Sequence, residues 1–359
     1  MHYTLTPQTF FVAELFNPVL TDFGKYYYYL LEKQGLSHKQ AVKRISAQAF
    51  FGGAKDYSSN PGDTKPPQIG LWFCGVKDKH ATTRQWVCTK EKISDIEEEY
   101  FKLKYVGQSN EKIFVGKHKG NAFRVIVELN EEEAKLLKKF RAKEELCANY
   151  FGEQRFNTKS MEIADLIERE DYEGALKKHL TQVTGFDSDL SKTMKKIIKE
   201  NWGKWREISE SEVFKNTRKK KQFEYLIENP TDYKGAFIAS EPRSVSLIIK
   251  TAQAMRFNNE LNKMVKEKKP NNFETLISGR NLNLGANKAM KREIIIEPTE
   301  FEKNFRTRTL KRNTFFIAKK FKPKKLENKK YEIYFELSKG EYATIFLKFL
   351  EKWIEKNNC

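Results

Sequence analysis

Two blocks of β-prone sequence stand toward the ends of this chain, and the residues between them carry a helical period. Across residues 10–129, short apolar and aromatic runs recur between polar or glycine-containing stretches, and residues 331–337 alternate again near the C-terminus. Across residues 158–305 the apolar positions fall instead at helical spacing, in 161–169, 172–179, 190–199 and 246–265. Alternation buries one face of a strand, and a spacing of three to four buries one face of a helix. The simplest architecture that satisfies both is an α+β domain interrupted by a helical insertion. Its parts are residues 1–157, 158–305 and 306–359.

Local signals place the elements. Residues 10–15 read as a first strand whose entry Pro7 fixes, and 26–31, with four tyrosines and two leucines, as a second. Ser37 caps a helix over 38–50 with Ala41, Ile45 and Ala49 on one face. Residues 56–67, with Ser58, Ser59, Pro61, Gly62, Pro66 and Pro67, read as a loop. The run 69–73 and the run 85–89 form strand, loop, strand. Residues 94–104 read as a short helix. Phe123, Val125, Val127 and Leu129 alternate as a strand with one face buried, and Asn130 opens a helix over 131–146 with acid in its first turn. Ile345, Phe346, Phe349, Leu350 and Trp353 make the apolar stripe of a closing helix.

The 359 residues carry a net charge of +19 and a pI near 9.5. Such an excess favours polyanionic partners, nucleic acid or an anionic membrane surface, although lysine-rich background composition contributes. No window is apolar for long enough to span a bilayer, and the N-terminus lacks the succession of a signal peptide, so a soluble, cytoplasmic protein is expected. The four cysteines, Cys74, Cys88, Cys147 and Cys359, form no CxxC pair, and the five histidines form no cluster at ligand spacing. There is no Walker A loop or glycine-rich dinucleotide fingerprint. These absences speak against a zinc site, ATP or a nicotinamide cofactor.

Four stretches bear chemistry. In Gly75-Val76-Lys77-Asp78-Lys79-His80-Ala81-Thr82-Thr83-Arg84-Gln85 a single carboxylate, Asp78, stands between two lysines at a loop. It is either a charged turn or an anion whose neighbours keep it ionised for work as nucleophile or base. Gly116-Lys117-His118-Lys119-Gly120-Asn121-Ala122-Phe123 is either a hairpin loop or a basic, glycine-bounded approach to phosphate. Asn149-Tyr150-Phe151-Gly152-Glu153-Gln154-Arg155-Phe156 packs aromatics, an amide and an arginine with no helical or strand period, fitting a core turn or a base-stacking site. The fourth, Ser338-Lys339-Gly340-Glu341-Tyr342-Ala343-Thr344, turns the last strand into the closing helix. Lys215, Arg218, Lys219, Lys220 and Lys221 read as a solvated helix face, and Arg306, Arg308, Lys311 and Arg312 precede Phe315 and Phe316.

Taken in order along the chain, these four stretches resemble the motifs of the TruD family of tRNA pseudouridine synthases. The resemblance covers residues 1–157 and the last 55 or so, with a looser likeness around 252–259 in between. It implies the pseudouridine synthase fold, a mixed, mainly antiparallel sheet with flanking helices, carrying an inserted, largely helical domain specific to the family. It implies isomerisation of uridine to pseudouridine in tRNA, usually uridine-13 of the D arm, with no cofactor and no metal. The expected partner is tRNA, with no membrane and no obligatory protein partner. Asp78 matches the catalytic aspartate, Phe151 the aromatic that stacks on the target base, and Asn149 the nearby amide. Lys77, Lys79, Arg84, Lys119, Asn121, Arg155, Lys339 and Tyr342 fall in the same motifs and are the further candidates for contact with substrate.

The chain departs from the pattern at two places. Thr4 stands where many members carry a basic residue that pairs with the catalytic aspartate, which leaves Lys77, Lys79 or Arg84 as substitutes. Asn157 replaces the glycine that usually follows Arg155-Phe156. Two rival readings differ in class. A non-catalytic RNA-binding protein, such as a chaperone of tRNA folding, would use the basic surfaces and leave Asp78 dispensable. A metal-dependent nuclease would need clustered carboxylates, which the isolated Asp78 does not supply.

Overall fold

The computed structural model describes residues 1–51, 69–185, 187–215, 217, 220–240, 242–267 and 292–358. The loop expected at 56–67, Arg218 and Lys219 of the basic cluster, and Cys359 lie outside the described residues. The chain divides into two compact units. One comprises Met1–Cys147 with the described residues from Phe316 onward, and the other the described residues between Ala148 and Phe315.

The first unit is built on a mixed sheet of nine strands among the described residues. In chain order these begin with β1 (Phe10–Glu14), β2 (Tyr26–Gln34), β3 (Leu71–Phe73), β4 (Thr82–Thr89), β5 (Ile96–Glu98), β6 (Phe101–Ser109) and β7 (Gly120–Glu128). A closing hairpin of Lys319–Lys325 and Lys330–Ser338 completes it. Only β1 and β4 run parallel, with Val12 opposite Thr83; every other pair is antiparallel. The α+β class and the mainly antiparallel mixed sheet therefore stand as expected.

The sheet buries both faces. Phe10, Val12, Phe123, Val125 and Phe335 pack with Phe346, Leu350 and Trp353 of the closing helix Ala343–Asn357. Tyr29, Leu31, Val87, Phe101 and Leu103 pack with Ala41 and Ile45 of α1 (His38–Phe51). Ser37 caps α1 as expected, accepting the Gln40 N–H at 3.3 Å.

Two expectations are corrected. Residues 94–104 form no helix but the β5–β6 hairpin. Phe101 and Leu103 are buried while Lys102 and Lys104 are exposed, so the period is two, and the many Glu and Lys residues had hidden it. The helix after Asn130 has its capping box, Asn130 with Glu133, but α2 spans Glu131–Lys139 and stops well short of residue 146. Phe140 leaves helical geometry and is buried, its ring 5.0 Å from those of both Phe321 and Trp353. Core packing there outweighs helix propensity.

The second unit is mainly helical. Thr158–Glu168, Tyr172–Thr181, Asp189–Glu200 and the long helix Pro242–Glu267 correspond to the four periodic stretches. Ile163, Leu176, Trp205, Phe223, Phe237 and Ile248 lie in its core. A two-stranded ribbon, Glu293–Ile296 with Leu310–Asn313, completes it.

Candidate functional site

The sheet has a built gap beside Asp78. Along one edge, β4 pairs first with β1 through Thr82–Arg84 and then with β3 through Val87–Thr89. Between these ladders the Trp86 N–H donates to the Glu14 carboxylate at 3.0 Å, so a side chain replaces a strand partner. The other Glu14 oxygen lies 2.9 Å from Lys77 Nζ, and both side chains are buried. Burial raises the Glu14 carboxyl above its ordinary value, and Lys77 opposes that shift.

Cys74, Glu14 and His118 bring their ligand atoms within 4.8 Å of one another. These are residue types that hold metals, yet the cation facing Glu14 here is the Lys77 ammonium. Burial pushes the Cys74 thiol up to about 11, with Glu14 adding to the shift. His118 is pushed down to about 4 by burial, then by Lys77 and Lys339. The cluster is a neutral imidazole and a neutral thiol packed around one ion pair.

Asp78 follows directly, in the loop from β3 to β4, and is half-buried. Its Oδ1 accepts the His80 N–H at 2.8 Å, a local turn bond that orients the carboxyl. Its backbone carbonyl accepts from Lys33 Nζ at 3.0 Å. Of the cations that the sequence offers near Asp78, Lys77 pairs with Glu14, Arg84 pairs on the exposed face with Glu32 at 2.9 Å, and Lys79 is exposed. Thr4 is exposed as well. Sequence reasoning missed Lys33, which lies just beyond the tyrosine and leucine run that marked β2.

A basic groove of about 440 Å³ lies in the same unit, lined by Phe16, Lys117, Lys119, Lys319, Lys320 and Ser338 among others. It brings the second and fourth motifs together. Gly116, at φ +87°, donates its N–H to the Cys74 carbonyl at 2.7 Å, and its own carbonyl accepts from Lys339 Nζ at 3.0 Å. The Lys339 N–H also donates to the Lys119 carbonyl at 3.2 Å. Gly120 has to be glycine, because a Cβ there would sit 2.1 Å from the Leu337 carbonyl oxygen. Asn121 lies opposite Glu14 on one side and Leu337 on the other. Tyr342 is half-buried at the start of the closing helix. Lys319 and Lys320, at a register shift in the closing hairpin, were not singled out from sequence.

In the helical unit the third motif closes on Arg312. Asn149 is buried, donating its backbone N–H to Thr314 at 2.8 Å and its amide to the Asn313 carbonyl at 2.9 Å. Arg312 returns the contact, with Nη2 at 2.5 Å from Asn149 Oδ1 and Nε at 2.9 Å from its carbonyl. The same guanidinium lies 4.2 Å over the Phe151 ring, while Phe257 meets that ring edge-on at 5.4 Å. The Asn258 amide clamps the Phe151 backbone, accepting its N–H at 2.9 Å and donating to its carbonyl at 3.2 Å. Arg155 stands 5.7 Å from the ring. The sequence marked Asn149, Phe151 and Arg155; Arg312 was visible only as one of several basic residues ahead of a phenylalanine pair.

Comparison with known proteins identifies the class first. A crystal structure of a TruD homologue from Methanosarcina mazei superposes with a TM-score of 0.61 at 20% identity, covering 98% of this chain and 94% of that one, so the fold is that of the pseudouridine synthases. The family model for tRNA pseudouridine synthase D (TruD) matches residues 4–319, and the chain belongs to that family. With it the chain falls among enzymes of the isomerase class. It is 28% identical over 97% of its length to the Methanococcus maripaludis protein named "Probable tRNA pseudouridine synthase D 1", covering 98% of that protein. It is 30% identical over 55% of its length to the tRNA pseudouridine synthase D of Aquifex aeolicus, covering 50% of that one. Among the described residues, no helix is long and apolar enough to cross a membrane.

Proposed function

We propose that the protein isomerises uridine to pseudouridine in tRNA, at uridine-13, with Asp78 as the catalytic carboxylate. The observation that carries this reading is the Asp78 loop. A half-buried carboxylate, oriented by the His80 N–H, follows immediately on the buried Lys77–Glu14 pair, within the motif that resembles the family's catalytic stretch.

The reaction breaks the N1–C1′ glycosidic bond and joins C1′ to C5 of the same base. The proton lost from C5 is balanced by one gained at N1, so no oxidant, reductant or water is consumed. Such a step calls for an anion at the sugar and a base for C5. Asp78 serves at the ribose, either by attack at C1′, the ester bond breaking when C5 joins C1′, or by abstraction of the C2′ proton, which returns to C2′ in the same step; it then takes the C5 proton. The uridine leaves the folded RNA before it reacts. Phe151 then stacks on it, and Asn149, held by Arg312 and Asn313, is the neighbouring amide. Lys119, Lys339 and the groove lysines meet phosphates. Residues 158–305, of which the described ones fall within the helical unit, are the family-specific insertion.

The test is incubation of the purified protein with unmodified tRNA transcripts in the absence of metal, followed by carbodiimide modification and primer extension. A stop at position 13 with wild type and none with Asp78→Asn, at unchanged tRNA binding, is the expected result. A stop elsewhere keeps the class and changes the substrate. Turnover by Asp78→Asn removes Asp78 from its role, and tight binding without any pseudouridine favours the RNA-binding alternative.

A further inference from the structure

Thr4 leaves the position of the family's usual basic residue without a charge, and the lysines beside Asp78 in sequence are turned to other uses: Lys77 faces Glu14 and Lys79 faces solvent. Among the described residues, Lys33 also reaches this loop. Lys33 lies on β2, opposite Thr83 of β4 and Phe101 of β6, and is 1% exposed. Its Nζ donates to the Leu36 carbonyl at 2.8 Å and to the Asp78 carbonyl at 3.0 Å.

A buried ammonium is expensive to hold and persists where carbonyls and an opposite charge compensate it. Here both compensations come from named groups. The two carbonyls tie the end of β2 and the Asp78 loop to one nitrogen, and among the charged groups acting on Lys33 the attractive one is Asp78.

We propose that Lys33 is the positioning residue for Asp78, anchoring the loop through the Asp78 carbonyl and setting a fixed positive charge beside its carboxylate. The inference rests on the proposed catalytic role of Asp78. A strand in the interior of a sheet is a rigid mount, whereas the loop by itself is not. A catalytic group displaced by about an ångström loses on the order of a hundredfold in rate. Lys33 touches no reacting atom in this account; it acts through Asp78.

The environment of Lys33 also predicts a pH signature. Burial lowers its proton affinity to about 8, Lys77 pushes the same way and Asp78 opposes. The groups facing it are Asp78 and Lys77 from the loop and His38 from α1, whose own protonation burial and Lys33 disfavour; β4 and β6 present Thr83 and Phe101, which do not titrate in this range. Loss of the Lys33 proton removes the charge beside Asp78, so turnover falls as pH rises through about 8.

The experiment measures single-turnover rate and tRNA affinity from pH 6 to 9.5 for wild type, Lys33→Met and Lys33→Arg, with Asp78→Asn alongside. Lys33→Met keeps an unbranched chain in the core and is expected to lose roughly a hundredfold in rate with affinity within about threefold. Lys33→Arg keeps its charge throughout the range, and its rate at pH 9.5 relative to pH 7 is expected to exceed that of wild type by at least about tenfold. Wild-type turnover by Lys33→Met, or the same alkaline fall in wild type and Lys33→Arg, overturns the proposal. So does a wild-type profile with no fall anywhere up to pH 9.5, which decides the matter even if a variant does not fold. Turnover by Asp78→Asn overturns the catalytic reading itself, whereas an inactive Asp78→Asn beside a fully active Lys33→Met overturns the Lys33 proposal alone.

Discussion

Removing Lys77 while leaving Glu14 in place tests how the centre of the sheet is held. In Lys77→Met the Glu14 carboxylate keeps one bond, the Trp86 N–H, and loses its ammonium in a site with no solvent access to its side chain. Breaking a buried pair on one side typically costs about 3–5 kcal/mol. A second route gives the same size. Glu14 escapes by taking a proton, and holding it at pH 7.5, about three units above the ordinary value of 4.5, costs about 1.4 kcal/mol per unit, or about 4 kcal/mol. With a urea dependence of about 2 kcal/mol per molar, the unfolding midpoint drops by about 1.5–2.5 M.

The sign with pH follows from the direction of the Glu14 shift. Its folded value is raised, so the stability it allows is complete in acid and lost as pH rises through that value. Losing Lys77 raises it further, so the gap between variant and wild type narrows as pH falls from 7.5 to 5.5, by at most about 2.7 kcal/mol. Glu14→Gln combined with Lys77→Met leaves no buried charge and recovers to within about 1 kcal/mol of wild type. Urea unfolding followed by circular dichroism at the two pH values measures all three. A midpoint within 0.3 M of wild type at pH 7.5, a gap independent of pH, or a double variant no better than the single would refute the reasoning.

Two further outcomes are expected in the helical unit. Arg312→Met strips the partners from Asn149 Oδ1 and from the Asn149 and Tyr150 carbonyls, so a loss of about 1–3 kcal/mol in unfolding free energy accompanies a fall in turnover; an unchanged urea midpoint would contradict it. Phe151→Ala removes the stacking face proposed for the uridine, worth roughly 1–3 kcal/mol, and should lower turnover by ten- to a hundredfold while tRNA affinity, carried mainly by phosphate contacts, holds. A matching loss in both would assign Phe151 to binding instead.

The α+β class was legible because its signals are local. The apolar and aromatic runs of β1 and β2, the alternation in β7, the Ser37 and Asn130 caps and the helical period of the middle each occupy a short stretch of chain. The β5–β6 hairpin was misread where Glu and Lys supply most of both faces and Phe101 and Leu103 alone reveal the period. The overlong α2 has the same origin: propensity continues past Lys139, and Phe140 is turned aside by rings that come from residues 321 and 353. At the site, Asp78, Asn149 and Phe151 stood out through the resemblance of their stretches to the family motifs. Their supports did not, because Glu14 with Lys77, Lys33 with Asp78 and Asn149 with Arg312 are pairs made by the fold between residues 45 to 163 positions apart or by a gap between two strands.

The order in which the sheet is threaded sets a timetable for its synthesis. β7 has β1 on one side, but its other neighbour, Lys330–Ser338, is translated last. While the whole of 129–329 emerges, β7 presents an open row of amides and carbonyls, the kind of edge that recruits strands from other chains. The contiguous helical segment is complete by then, whereas the sheet waits for the hairpin of residues 319–338. A chain truncated just before residue 330 would carry the Asp78 loop and an unpaired β7 edge together, so it is expected to aggregate rather than merely to be inactive.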